Sequence, residues 1–325
     1  MKKRLAAAVL GTALAISFAA PVLADEIILS YRLQHSVLEA LTVDCAPGDL
    51  LVTEEGALLV TDTYAKVIWK VENGVCSMYA GASSVQDPYG EPMGGYNDAA
   101  HPESLFKDPW AITPFLDGWA VSDPENDVVR MLRPDRTETV NASTRENLVI
   151  SNMGVVFSHP TGLATDSLGN LYISDTGNNA IRMCTSNGNL TTVADGLNEP
   201  TGLCWKDGSL YVCETGANRI LRIGSGGGKE YLAGSGEDGY ADGPAQSASF
   251  SSPQGIAVGD DGTVYVSDTL NSAVRRIKGG NVDTVAIRGD ESLQTYPVGP
   301  RGLLWHDHTL YVCDNFTHRV FLVQP

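Results

Sequence analysis

Short apolar runs, separated by turn residues, recur along the chain in one fixed order. In PTGLATDSLGNLYISDTGNNAIR, from Pro160 to Arg182, an apolar run is followed by a Gly-Asn turn, a second apolar run, a polar corner and a third run ending in Arg. Runs of large apolar residues bounded by Gly, Asn and Asp have the grammar of strands. Pro opens the first strand, where its missing N–H does least harm. The DTGNN corner suits a turn, because Asp bonds its own backbone and Gly or Asn tolerates positive φ. The same order leads from Pro47 to Asp62, Pro109 to Asp123, Pro160 to Asp175, Pro200 to Glu214, Pro253 to Asp268 and Pro300 to Asp314, at separations of 15, 14, 15, 14, 15 and 14 residues. A fourth short run usually follows, as in LTTVAD, KEYLAG and VDTVAIR.

Six copies of a four-strand unit cannot each bury two faces alone, and radial packing solves this with only short edges left over. The predicted fold is all-β: a six-bladed β-propeller of four-stranded antiparallel blades. The last copy ends at Phe321-Leu322-Val323 without a fourth run, while EIILSYRL and VLEALTV precede the first copy. One of these N-terminal runs is predicted to supply the outer strand of blade six, since an open ring would leave an exposed edge. The division is therefore 1–24 signal peptide, 25–46 closing segment and 47–325 propeller.

Three connections are long: 81–108, 142–159 and 234–252. The first and third share a pattern three blades apart, with Gly95-Tyr96-x-Asp98, Phe106 and Pro109 matching Gly239-Tyr240-x-Asp242, Phe250 and Pro253. Phe106 and Phe250 are expected to plug the grooves between blades. Corner acids recur with Arg130, Arg182, Arg222, Arg275 and Arg319, whereas Asp62 is followed only by Lys66 and Lys70. A residue needed once for chemistry does not recur in five blades. The acid is read as a corner cap and the Arg as the partner of a neighbouring blade.

The PxG[IL] openings at Pro160, Pro200, Pro253 and Pro300, the LY[VI] second strands at Leu171, Leu210 and Leu310, and the D-T-x-N-x-x-[IV]-R corner at Asp175 and Asp268 resemble the NHL-repeat β-propellers. The resemblance covers nearly the whole chain after residue 46, with Asp49 and Ala111 departing from the Gly of the opening. It implies fold rather than function, since such propellers serve as enzymes, sensors and scaffolds. Fold relatives that are amidating lyases place three His on a metal in the channel, and gluconolactonase types use Glu, Asn and Asp around a divalent ion. Neither set is present at the channel positions of this sequence.

Lys2, Lys3 and Arg4, the apolar run LAAAVLGTALAISFAA and Val22-Leu23-Ala24 read as a secretory leader of bacterial type. The expected location is secreted or periplasmic. The chain carries a net charge of −17, which disfavours nucleic acid and anionic membrane surfaces. An exported chain with six Cys can form disulfides. Cys213 and Cys313 share a slot with Thr61, Ser122, Ser174 and Ser267, which fits a small packed side chain. Cys204 and Cys213 fall on one hairpin, and a bridge or two free thiols both stay open there.

Candidate chemistry centres on the residues beside each opening Pro, which begin the innermost strands: Asp49, Trp110, Thr161, Thr201, Gln254 and Arg301. An anion, an aromatic, two hydroxyls, an amide and a cation around a concave mouth suit a small polar ligand or a peptide end. A channel filled only with water suits them equally. No catalytic residues are assigned. His306 and His308 flank Asp307 in a turn, and the Gly-rich run Gly224 to Lys229 lacks the strand-to-helix setting of a phosphate loop. The function expected is a monomeric, non-catalytic module that binds an extracellular protein, peptide or glycan through the loop-rich face. No cofactor is expected, with calcium or zinc left open. The alternative is a metal-dependent lyase or lactone hydrolase that uses the central channel.

Overall fold

A computed structural model describes residues 46–73, 75–82, 86–140, 157–285 and 297–325, with the strand runs Leu14–Ile16, Ile27–Leu29 and Ala40–Thr42. Apart from Leu14–Ile16, the leader expected over 1–24 lies outside the described residues, as do Cys45 and most of the 142–159 connection.

Six antiparallel four-stranded sheets form the ring. From inner to outer strand, blade one is Pro47–Val52, Leu58–Asp62, Val67–Glu72 and Val75–Ala80, and blade two is Ile112–Phe115, Gly118–Asp123, Val128–Leu132 and Thr137–Thr139. Blade three is Pro160–Thr165, Leu171–Asp175, Ala180–Cys184 and Leu190–Ala194, and blade four is Pro200–Lys206, Ser209–Glu214, Arg219–Gly224 and Lys229–Ala233. Blade five is Pro253–Val258, Val264–Asp268, Ala273–Lys278 and Asn281–Thr284, with a short fifth strand, Gly243–Pro244, at its outer edge. Blade six has three strands of its own, Pro300–His306, Thr309–Asp314 and Arg319–Val323. Ala40–Thr42 pairs with the last of them, Thr42 opposite Arg319, and closes the ring as expected.

The alternating separations have a structural cause. Blades two, four and six turn between their first two strands in two residues, and blades one, three and five do so in five. The type I′ form of a two-residue turn needs positive φ at both positions, and the type II′ form only at the first, as at Leu116 in blade two. Asp207 and Gly208 supply it in blade four, Asp307 and His308 in blade six.

Burial is organised between blades. Six apolar clusters fill the six interfaces; in one, Phe115 and Val129 of blade two pack with Leu163 and Ile173 of blade three. Phe106 and Phe250 are fully buried, in the interfaces ahead of blades two and five. Each corner acid binds the incoming chain. Asp123 accepts the N–H groups of Lys107 and Asp108, Asp175 that of Ser158, Asp268 that of Ser251 and Asp314 those of Val298 and Gly299.

The expectation that the corner Arg reaches a neighbouring blade needs correction. Arg130 and Arg275 fold back onto the acid of their own blade, Asp123 at 3.3 Å and Asp268 at 2.6 Å. The GYxD loops supply the rest of their shell. Asp98 and Asp242 bind the same guanidinium groups at 2.7 and 2.6 Å. Tyr96 with Phe106, and Tyr240 with Phe250, place their rings about the cation. Blade one fills this place with Trp69, whose indole N–H donates to Asp62.

Cys204 and Cys213 are free thiols, as are Cys76, Cys184 and Cys313. Cys204 stands opposite Tyr211, which makes Cys213 its diagonal neighbour. Diagonal pairs are spaced more widely than the roughly 3.5–4.5 Å between Cβ atoms that a disulfide needs. The Cys213 thiol instead donates to Gly255 O.

Candidate functional site: a central cavity with a stacked cation

The six inner strands approach one another closely where they begin. A Cβ on Gly162 would lie 2.0 Å from Thr201 O, one on Gly202 2.3 Å from Gln254 O, and one on Gly255 1.8 Å from Arg301 O. The shared slot of small side chains bridges the same seams. The hydroxyls of Thr61, Ser122 and Ser174 donate to the carbonyls of Trp110, Thr161 and Thr201 on the next blade. In these blades the slot uses a donor as well as a small volume, which spacing alone did not reveal, whereas the Ser267 hydroxyl in blade five has no such partner.

A cavity of about 480 Å³ runs along the inner strands from this tight end to the turns between first and second strands. Asp49, Trp110, Gln254 and Arg301 line it. Thr161 and Thr201 do not. Both are buried, and their hydroxyls bond Thr176 and Thr215 at 2.6 Å within the wall. The cavity's other rim carries Lys206, Asp260 and Asp307. It therefore extends to the end of the ring opposite the corners, rather than forming a bowl on the loop-rich face.

Arg301 crosses the tight end. Its guanidinium carbon lies 3.3 Å from the centroid of the Trp110 ring, and Nη1 reaches Thr63 Oγ1 at 3.5 Å. Arg stacks well on indole because its planar group is weakly hydrated. Among the described residues no carboxylate lies within ion-pair distance of it. Burial pulls its pKa down to about 10, with Asp108 opposing. Burial also raises the Asp108 carboxyl, against the pull of Arg301 and Lys66.

Asp49 is pushed up to about 7 by burial, although it accepts the N–H of Ile112 at 3.1 Å. The folded chain thus keeps this proton to near neutrality, whereas an unfolded Asp loses it near 4. Stability should fall as pH rises from about 4 to about 7. Asp49→Asn keeps an acceptor for Ile112 and removes that slope. We expect the variant to be more stable than the parent by up to about 4 kcal/mol at pH 8 and equal at pH 4. Urea unfolding at the two pH values checks this; equal slopes in both proteins would defeat it.

A second polar group forms across three blades at the wide end. Asp260 of blade five accepts Lys206 Nζ from blade four at 3.1 Å and the Trp305 indole N–H from blade six at 3.0 Å, with His308 Nδ1 at 3.4 Å. The Trp305 and Lys206 hydrogen bonds hold its carboxyl below the usual range. In the sequence Asp260 reads only as a turn residue, since the contact depends on blade packing. Among the described residues no three His, Cys, Asp or Glu side chains converge as a metal site.

Six four-stranded blades about a lined cavity define a six-bladed β-propeller. The chain carries NHL repeats: the NHL repeat model matches residues 157–182 and 250–277. NHL repeat-containing protein 2 of Homo sapiens is 37% identical over 79 residues, 24% of this chain and 11% of that protein. The curated relatives it matches are covered over only 8% to 11% of their length. Among solved structures, an auxiliary nutrient binding protein from Bacteroides ovatus has a TM-score of 0.61 at 14% identity, covering 90% of this chain and 72% of that one. Virginiamycin B lyase from Staphylococcus aureus has 0.58 at 14% identity, covering 88% and 98%. Likeness at this level concerns the fold alone.

Proposed function

We propose that this protein is a secreted or periplasmic, non-catalytic binding module whose cavity seats the end of a peptide or glycan chain. The reading rests on one observation. Arg301 is a half-buried cation without a carboxylate partner among the described residues, held flat on Trp110 at the end of a cavity. Leaving a cation partly desolvated costs free energy unless something completes its shell. A planar guanidinium with free donors matches a carboxylate in two-point geometry. Asp49, whose carboxyl burial pushes up to about 7, repels that anion less than an ordinary carboxylate would, and least below pH 7. Gln254 on the same wall adds an amide that can donate or accept. The nutrient-binding relative by fold is one setting for such a module.

Calorimetry with short peptides bearing free or amidated C termini, and with neutral or uronic oligosaccharides, tests the reading. Binding should require the carboxylate. Arg301→Gln should weaken it at least about tenfold, the scale of one lost charge-assisted bond. Equal binding of free and amidated forms, or an unaffected variant, would end the proposal. A stoichiometric divalent ion retained through dialysis would overturn its non-catalytic half.

A further inference from the structure

The loop-rich face carries an apolar crescent that the cavity does not use. It arises at one repeated position, two residues after each corner acid. That position holds Gly177 and Gly216 in blades three and four, Glu125 in blade two, and Leu270, Phe316 and Tyr64 in blades five, six and one. The glycines are dictated by the incoming chain. A Cβ would lie 2.4 Å from Ser158 Oγ at Gly177 and 2.5 Å from Asn198 Oδ1 at Gly216. In blade six the requirement is reversed. The incoming chain has Gly299, where a Cβ would meet the Phe316 ring at 2.4 Å, and the ring lies over it. Blades five, six and one therefore present large side chains where blades three and four must present none.

These side chains stand in solvent. Leu270 is 73% exposed, Phe316 72% and Tyr64 48%. The three corners belong to consecutive blades, since blade six packs on both blade five and blade one. Contacts extend it at both ends. Ser272 beside Leu270 donates to Val298 O, and exposed Val298 precedes Gly299. At the other end Tyr64 bonds Glu91, and the same loop bears Tyr89, 90% exposed, and Met93. Large exposed apolar side chains gathered on neighbouring corners of one face mark an interaction site.

We propose that this crescent docks a cationic polypeptide that carries apolar side chains. Charge selects the occupant. The two GYxD loops flank the crescent. Residues 86–108 contain five carboxylates and one cation, Lys107, and residues 234–252 contain three carboxylates and no cation. Asp98 and Asp242 among these are neutralised by Arg130 and Arg275. Lys66 lies at the blade-one corner and donates to Thr63 O. The remaining charge is acidic, on a chain of net charge −17. A second copy of this chain or an anionic lipid surface would bring like charge to it, whereas a basic partner would gain from steering and from apolar contact.

The test titrates the full protein with three synthetic peptides: one alternating Leu with Lys, one alternating Leu with Glu, and one alternating Ser with Lys. Only the Leu-Lys peptide should bind well. Leu270→Ser with Phe316→Ser changes no charge and should weaken that binding about tenfold or more, as removal of central anchors does. Tyr89→Ser with Met93→Ser perturbs a separate loop and should weaken it in the same direction, which guards against a folding defect in the first pair. Raising salt to about 0.5 M should weaken the parent further. Equal binding of Leu-Lys and Ser-Lys peptides, or unchanged binding in both variants, would reduce the surface to unspecific charge and overturn the proposal. Self-association abolished by either pair would overturn it in favour of a second copy. None of these changes touches Arg301 or Trp110, so failure here leaves the cavity reading standing, and the converse holds.

Discussion

Replacing Arg275 with methionine should destabilise the protein by about 3–5 kcal/mol, the range for removing one partner of a buried ion pair. Arg275 is fully buried, and Asp268 beside it is fully buried too. Its two terminal nitrogens serve four acceptors: Ser249 O at 3.0 Å, Asp268 at 2.6 Å, Ala241 O at 3.0 Å and Asp242 at 2.6 Å. Methionine keeps much of the volume against Tyr240 and Phe250 but supplies no donor. Two carbonyls and a dry carboxylate would be stranded. Burial already raises the Asp268 carboxyl, and Arg275 is one of the groups holding it down. Without the Arg, Asp268 should take up a proton on folding, so the variant's deficit should shrink as pH falls towards 5. Residues 234–252 should become a protease-sensitive loop, since three of its groups are held by that one side chain. Urea unfolding at two pH values with limited proteolysis reads both effects. A loss below about 1 kcal/mol would falsify the view that the GYxD loop is a staple rather than a cover.

Gly255→Ala should cost about 3 kcal/mol, at the upper end for overpacking. The added methyl would sit 1.8 Å from Arg301 O and 2.9 Å from its carbonyl carbon. Both are main-chain atoms of the next inner strand, so relief requires moving blade six away from blade five. A useful control is Gly262→Ala in the adjacent turn. Its φ of +78° is unfavourable for alanine, but nothing lies within 4 Å. That change should cost only about 1–2 kcal/mol of backbone strain. Comparison of the two denaturation midpoints separates interblade contact from turn conformation, and equal losses would show that the seam is not tight. Moving Arg301 O also moves the guanidinium on Trp110, so ligand affinity should fall with Gly255→Ala and hold with Gly262→Ala.

Most of the ring was legible because its signals are local and repeated. Each Pro-to-acid separation encodes a strand pair with its turn, and the two GYxD loops announced themselves by recurring at the same offsets before Phe106 and Phe250. The closing strand followed from counting edges. Contacts between blades were not legible, because no period in one repeat states which atoms of the next it meets. The Arg partner was misjudged for that reason: Arg130 and Arg275 lie seven residues beyond their acids, directly across a tight corner. Trp69 occupies the same offset from Asp62 and was overlooked because a cation was sought there. The channel residues divided by side-chain reach. Trp110, Gln254 and Arg301 are long enough to enter the cavity. Thr161 and Thr201 are short, and Thr176 and Thr215 capture their hydroxyls first. The Asp260 group needs three blades to converge before it exists.

The closing strand also sets a schedule. Ala40–Thr42 is synthesised before any of the blade strands, and its partner Arg319–Phe321 after all the others. While the five blades between them are made the early strand has no place to go, and blade six, once begun, has an open edge until the two meet. The entropic cost of bringing such distant segments together grows only slowly, by about 0.6 kcal/mol per doubling of the loop. The hazard lies in the waiting time, during which an unpaired edge can recruit another chain. Release of a chain that stops short of Arg319 would therefore leave five blades built and the ring unable to shut, so the final strand acts as a checkpoint on completeness.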